Sequence, residues 1–296
     1  MSANEQAVSE HYGLTDLGER ILTAIQKAGV DLSNLTVDDL APVDEFHIRG
    51  RASTVELASL AEIASDELVL DVGSGLGGTA RYLASGIGCE VVGLDLTEEY
   101  CRIAEMLTEK VDLADRICYE QGSALEMPFP DNHFDVAWTE HVQMNIADKA
   151  GFYREIQRVL KPGGRLAFHD VFSGPEDGLH FPVPWAGDVS ISHLVSPEGL
   201  QTVLDQLGYE RMQWVDKTEA SASFFNEILP EINKSGWRPL SLHLLAGEDP
   251  TARFANVLRN LEEDRLRVIQ AVLVKSVPRH LNSPGLPIAL NDDPLP

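Results

Sequence analysis

The sequence predicts an α/β fold, a doubly wound, largely parallel sheet with helices on both faces, and three observations point to it. From Glu67 onward, short β-branched or apolar runs alternate with helical stretches, the pattern of βαβ crossovers. The run VLDVGSGLGG joins the first strand to the next helix through closely spaced glycines. A composition of 44% hydrophobic and 24% charged residues over 296 residues supports a sizeable core and excludes disordered, coiled-coil and membrane-spanning classes.

The elements follow in order. Leu14, Leu17, Ile21, Leu22, Ile25 and Ala28 recur at helical spacing and stop at Gly29, so the chain is expected to open with an amphipathic helix. A shorter helix around Leu35 to Leu40 should end before Pro42, and Arg51 to Ala64 reads as a third. Residues 1–65 are therefore read as a helical cap segment, and residues 66–280 as the main domain. Its strands are expected at 67–72, 89–95, 117–121, 134–140 and 165–172. Helices are expected at Gly78–Ala84, Glu98–Val111 and Lys149–Leu160, the last ended by Pro162-Gly163-Gly164. The segment 174–195 has no period and reads as a long loop or lid, and long loops in compact domains are usually functional. Ser196 and Pro197 offer an N-cap and first turn for a helix that Gly208 terminates. A strand at Met212–Asp216, a helical insertion at about 222–265 and a last strand at Arg267–Lys275 complete the domain, and the Pro-rich residues 281–296 form a tail.

Charge and cysteine usage narrow the function. With 23 Lys and Arg against 47 Asp and Glu, the net charge of −24 repels a phosphate backbone, which excludes nucleic acid and anionic membrane as partners. The three cysteines, Cys89, Cys101 and Cys118, include no CxxC pair and no histidine at metal-ligand spacing, so no metal site is expected. The first residues, MSANEQAVSEHYGL, have neither a basic nor an apolar targeting region, and the reading is a cytoplasmic protein. The oligomeric state is not set by the sequence, and a homodimer is left open.

Gly73, Gly75, Gly77 and Gly78 lie between a strand and a helix, where backbone must turn tightly and approach a ligand. Asp95 ends the next strand, where a carboxylate can accept both hydroxyls of a ribose. An adenosine-containing ligand follows, with a nicotinamide enzyme and an S-adenosylmethionine (SAM) enzyme as rivals. Asp71, two residues before Gly73, can hold an ammonium group indirectly; EMPFPDNHFDVAWTEHV runs into a strand with a polar edge; and RVLKPGGRLAF is a helix, a turn and a fifth strand.

Together DVGSGLGG, Asp95, the PFPDNHFD turn and RVLKPGG resemble the class I SAM-dependent methyltransferases, over roughly residues 67–172. More narrowly, residues 140–172 and the HFPVPWA loop look like the sarcosine and dimethylglycine N-methyltransferases. The resemblance implies a seven-stranded Rossmann-like sheet whose last strand is antiparallel, capped by the N-terminal helices and the insertion. It implies SAM as methyl donor. Asp71, Gly73, Gly75 and Gly77 would flank its methionine part, Asp95 its ribose and Leu96 its adenine, with Glu140 assisting. Where the family commonly has Gly-Asp-Ala, this chain has Gly122-Ser123-Ala124, so Ser123 and Ala124 would stand at the adenine. Many relatives carry a histidine near Asn145, whereas this chain has His141 earlier.

Methyl transfer is an in-line displacement that chiefly requires orientation and exclusion of water. A neutral amine needs no base, whereas a hydroxyl or carbon acid needs a proton acceptor. His141 and Asp170 are the candidates for that role. Alternation puts His169 and Asp170 on opposite faces, and His169 is expected to be structural. Tyr12, His47, Asn145 and Trp185 are candidate acceptor contacts, and Arg49 and Arg51 can pair with a carboxylate. The expected acceptor is a small molecule, foremost an amine of the glycine, sarcosine or dimethylglycine type. The alternatives are O- or C-methylation of a phenol or polyketide, a nicotinamide-dependent oxidoreductase, and a SAM-binding module without turnover.

Overall fold

Parallel strands require crossover connections, and the helices that supply them must bury an apolar stripe against each sheet face. A computed structural model describes residues 1–276 and shows that arrangement; the expected tail at 281–296 lies outside the described residues. The sheet consists of β1 (Leu68–Val72), β2 (Glu90–Asp95), β3 (Ile117–Gln121), β4 (Phe134–Glu140), β5 (Leu160–Ser173), β6 (Tyr209–Asp216) and β7 (Leu266–Lys275). Their order is β3-β2-β1-β4-β5-β7-β6, with β7 antiparallel to both neighbours. The seven-stranded fold with an antiparallel last strand is thus present.

The helices are α1 (Ala3–Tyr12), α2 (Leu17–Lys27), α3 (Val37–Asp44), α4 (Arg51–Ala61), α5 (Gly78–Gly86), α6 (Glu98–Lys110), α7 (Lys149–Val159), α8 (Pro197–Gln206), α9 (Thr218–Ser235) and α10 (Pro250–Glu262). On one sheet face Phe152, Ile156 and Val159 of α7 and Leu200 and Leu204 of α8 are buried. On the other, Leu57 of α4, Leu83 of α5 and Ala104 of α6 are. A fully buried side chain of this size contributes roughly 1.5–3 kcal/mol, so these stripes fix the crossovers. Among the described residues no helix is long and apolar enough to cross a membrane.

Several boundaries differ from expectation for physical reasons. The chain opens with α1, ahead of the expected first helix, capped reciprocally by Ser2 and Glu5. Helix α3 runs through Pro42 rather than stopping before it, because the Thr36–Asp39 capping box sets its start and Pro42 is exposed near its end. Helix α4 stops at Ala61 because Glu62 turns left-handed. Helix α7 ends at Val159, so Pro162-Gly163-Gly164 do not terminate it: Leu160 is already extended and pairs with Phe134, and these residues sit where the β4–β5 register shifts. The insertion begins at Thr218, whose N–H Asp216 accepts.

Candidate functional site

In a sheet of this topology the strand order reverses beside β1, and ligands bind outside the carboxyl ends of the strands there. A cavity of about 1360 Å³, its mouth included, occupies that place. Its floor is the loop from β1 to α5. Gly73 adopts φ +75°, and a Cβ there would overlap Val142; Gly75 adopts φ +53° with open space before it, so a ligand can come close to its backbone.

Asp95 closes β2 and ties the loop down. Its Oδ2 accepts from Gly75 N at 2.8 Å and its Oδ1 from Thr97 N at 2.9 Å. Burial nevertheless holds the Asp95 carboxyl above the usual carboxylate range. Asp71, at the end of β1, is buried, and its Oδ2 has no hydrogen-bond partner among the described residues. Burial first, then the nearby Glu140 and Asp95, hold its carboxyl well above the ordinary range. Leu96, Ser123 and Ala124 line the same wall. The Ser123 hydroxyl donates to the Glu5 carboxylate, and Ser123 Oγ accepts from Leu125 N at 3.0 Å.

Glu140 ends β4 and gathers three elements. Its Oε2 accepts from Thr79 Oγ1 at 2.8 Å and Trp138 Nε1 at 3.0 Å, with Thr54 Oγ1 at 3.5 Å, while its Oε1 lies 3.4 Å from His47 Nε2. The next residue, His141, holds φ +52°, an uncommon conformation for a side-chain-bearing residue. Its Nε2 is buried without a partner among the described residues. Burial, His169 and His47 keep its pKa well below that of a free imidazole, so the ring is neutral.

Asn145 joins the opposite wall. Tyr12 donates its hydroxyl to Asn145 Oδ1 at 3.1 Å, and Asn145 Nδ2 donates to Trp185 O at 3.0 Å and Ile191 O at 2.8 Å. Helix α1 and the loop 174–195 are thereby held over the cavity. The loop itself is anchored by α10, with Asn256 Nδ2 donating to Pro182 O at 2.9 Å and Asn260 Nδ2 to His180 O at 3.1 Å.

Asp71, Gly73, Gly75, Asp95, Leu96, Ser123, Ala124, Glu140, His141, Tyr12, His47, Asn145 and Trp185 all line the cavity. Four candidates do not. Gly77 lies behind the loop, where a Cβ would overlap the Tyr119 hydroxyl. Asp170 is fully buried and accepts from Val142 N at 3.0 Å, Gln143 N at 3.1 Å and Val171 N at 2.8 Å. Burial raises its carboxyl to about 7. It therefore shapes the turn that carries His141 instead of meeting an acceptor, which corrects its expected place. His169 is buried behind the wall, with Nε2 3.0 Å from Ile48 O. Arg49 makes two bonds to Glu56, at 2.7 and 2.6 Å, and Arg51 pairs with Glu45 and Asp38, so neither guanidinium reaches the cavity. Asn4, Glu5 and Val8 of α1 line it unexpectedly; the cue was the Ser2-x-x-Glu5 box.

A family model described as a methyltransferase domain matches residues 70–168. The chain is 28% identical over 219 residues to a glycine/sarcosine/dimethylglycine N-methyltransferase of Actinopolyspora halophila, covering 74% of this chain and 38% of that protein. It is 36% identical over 125 residues to a chloroplastic tocopherol O-methyltransferase of Arabidopsis thaliana, covering 41% and 35%. The chain thus spans well under half the length of these two relatives. The structure of a geranyl diphosphate C-methyltransferase of Streptomyces coelicolor, in complex with Mg2+, geranyl diphosphate and S-adenosyl-L-homocysteine (SAH), superposes with a TM-score of 0.67 at 15% identity, covering 93% of this chain and 98% of that one.

Proposed function

The chain carries a class I SAM-dependent methyltransferase domain, and from that premise we propose that it transfers a methyl group from SAM to a small-molecule acceptor within the cavity. The observation that carries this reading is Asp71, which lines the glycine loop's cavity and whose buried Oδ2 has no partner among the described residues. An unpartnered buried carboxyl is costly unless a ligand cation completes it, and the ammonium of a methionine moiety is such a cation.

Asp71 would hold that ammonium, the backbone of Gly73 and Gly75 would lie along the methionine part, and Asp95 would accept from ribose hydroxyls. Leu96 and Ala124 would flank the adenine, and Ser123 would offer it a hydroxyl. Glu140 fixes the floor through Thr79 and Trp138. When bound, SAM supplies an electrophilic methyl group on a sulfonium. Tyr12, Asn145 and Trp185 exclude water from the opposite side, which strengthens every polar contact inside. Gly77 keeps the loop tight from behind, and Asp170 positions the turn after β4.

An amino-acid acceptor of the glycine, sarcosine or dimethylglycine type brings a carboxylate. No Lys or Arg is among the described residues that line the cavity. That weighs toward the alternative of O- or C-methylation. Cytoplasmic action belongs to the same proposal, in keeping with three free cysteines. Titration calorimetry with SAM, SAH and NADH, followed by labelled SAM with a panel of amines, phenols and carbon acids, tests the proposal. SAH should bind and NADH should not; tight NADH binding without SAH binding would establish the oxidoreductase reading instead.

A further inference from the structure

We propose that Glu5 of helix α1 is the group that recognises the adenine: its carboxylate, presented by the Ser123 hydroxyl, accepts from the exocyclic amino group of the base and makes the site selective for a 6-aminopurine. This rests on the SAM reading above, and it refines the part that Ser123 plays there.

One wall of the cavity is left to the base. In that reading the glycine loop and Asp71 take the methionine part and Asp95 the ribose, and the base is joined to the ribose carbon beside the two hydroxyls. Next to Asp95 the ends of β2 and β3 run together: Asp95 pairs with Gln121, and Gly122 N donates to Asp95 O at 2.9 Å. The cavity wall that continues from there is Leu96 and the turn 122–125. Leu96 and Ala124 offer apolar contact to the faces of a base. Its edge is different, because adenine carries a donor there, the 6-amino group, next to a ring nitrogen that accepts. An amino group taken out of water without an acceptor costs binding.

Ser123 is the one polar side chain of the turn, and it is committed. Its hydroxyl proton goes to a Glu5 carboxylate oxygen, its Oγ accepts from Leu125 N at 3.0 Å, and its carbonyl accepts from Glu126 N at 3.2 Å. Glu5 thus lies against this wall from α1 and lines the same cavity. Its other oxygen accepts from Ser2 N at 2.5 Å, the capping-box contact that starts the helix. A carboxylate has about four lone-pair positions, and these two bonds use two of them. Glu5 is half-buried, so a ligand can reach the others. Its neighbour Asn4 is bound at both ends to the opposite wall, with Nδ2 donating to Asn145 O at 3.0 Å and Oδ1 lying 2.9 Å from His193 Nε2.

Glu5 meets the base as an anion. Burial works against its charge, but the hydrogen bonds from Ser123 and Ser2 prevail and hold the carboxyl below its ordinary value. A hydrogen bond to an ionised acceptor is roughly twice as strong as one to a neutral acceptor. The same charge repels the carbonyl oxygen that a 6-oxopurine would put in place of the amino group, so one side chain supplies both the attraction and the exclusion. Because the recognising group sits on α1 and not on the sheet, the right base also holds that helix in place.

Two ligands that differ in one group test the proposal: SAH, and its purine analogue that lacks only the 6-amino group, each titrated calorimetrically. The unaltered protein should bind SAH at least about tenfold tighter than the analogue. Glu5→Gln keeps the capping box and replaces a side chain on a helix with no buried residue, so it leaves the fold intact. It should weaken SAH about fivefold or more while leaving the analogue within about twofold of its parent affinity. Adding Ser123→Asp to Glu5→Gln should return the discrimination, since a carboxylate again stands at the amino group. Equal weakening of both ligands by Glu5→Gln would mean that Glu5 only supports α1, and overturns the proposal. So does unchanged SAH affinity in that variant, a parent that binds the two ligands alike, or a double variant no more selective than Glu5→Gln. Failure of SAH to bind the unaltered protein would instead overturn the SAM reading.

Discussion

Two carboxyls on the cavity wall differ in what they lack. Asp95 already accepts two backbone N–H bonds, so it enters the site oriented, whereas Asp71 Oδ2 has nothing to accept from among the described residues. Replacing Asp95 by Ala should weaken SAH by about 1.5–3 kcal/mol, the range for hydrogen bonds to a charged group, measured by calorimetry. Asp95→Asn keeps an acceptor for Gly75 N and should lose less, which separates the ribose contact from the loop's support. Asp71 makes a prediction about protons. Its carboxyl titrates well above the ordinary range in the free protein, and a bound ammonium favours the ionised form. SAH binding should therefore release a proton, and affinity should climb with pH until the free carboxyl is ionised, then level off. Titrations in two buffers of different ionisation enthalpy read that proton directly. Asp71→Asn should bind weakly and release none; proton release undiminished in this variant would assign the proton to another group.

Helix α1 covers the cavity without a fully buried side chain of its own. It is held by polar contacts: Asn4 Nδ2 to Asn145 O at 3.0 Å, His11 Nε2 to Pro184 O at 3.0 Å, the Tyr12 hydroxyl to Asn145, and Glu5 to Ser123. With so little apolar burial to lose, this is the element expected to open first. Limited proteolysis should cut near Gly13 in the free protein and be slowed when SAH is bound, and cleavage at one rate in both states would mean that α1 is a fixed wall. The same feature hid the helix from sequence reading. ANEQAVSEHY has no apolar stripe at helical spacing, and only the Ser2–Glu5 capping box marked it. The central strands were legible because burial on both faces leaves continuous apolar runs, and the glycine loop because its backbone has no substitute there. The cluster of Phe224, Phe225, Phe254 and Trp185 was not, since these side chains meet only when α9 and α10 fold back over the loop that carries Trp185. Nor could spacing tell that Asp170 turns away from the cavity to bind the turn beyond β4.

For the whole molecule, a net charge of −24 sets the background against which buried groups act on stability. Acidification neutralises carboxylates and relieves that repulsion, so a loss of stability on mild acidification must come from groups that the fold keeps from gaining protons. His169 is such a group. Burial, and then His47, push its pKa from an ordinary 6.5 to about 3, and His141 moves the same way. Below pH 6.5 the unfolded chain binds protons that the native state refuses, so the stability these histidines leave intact at neutral pH falls as pH drops from about 6.5 toward 3. Asp170 acts in the opposite sense. Its carboxyl, raised from 3.8 to about 7, binds a proton in the native state before the unfolded one does, and so favours the fold as pH falls through 7 toward 4. The two contributions overlap between pH 4 and 6.5 and partly cancel in the unaltered protein. Replacing one histidine should therefore expose the other arm. His169→Gln retains an N–H for the Ile48 carbonyl but cannot titrate, and its urea-unfolding free energy should decline less steeply from pH 6.5 to 4 than that of the parent, or rise. Parallel curves for the two proteins across that range would show that His169 carries no part of the acid sensitivity.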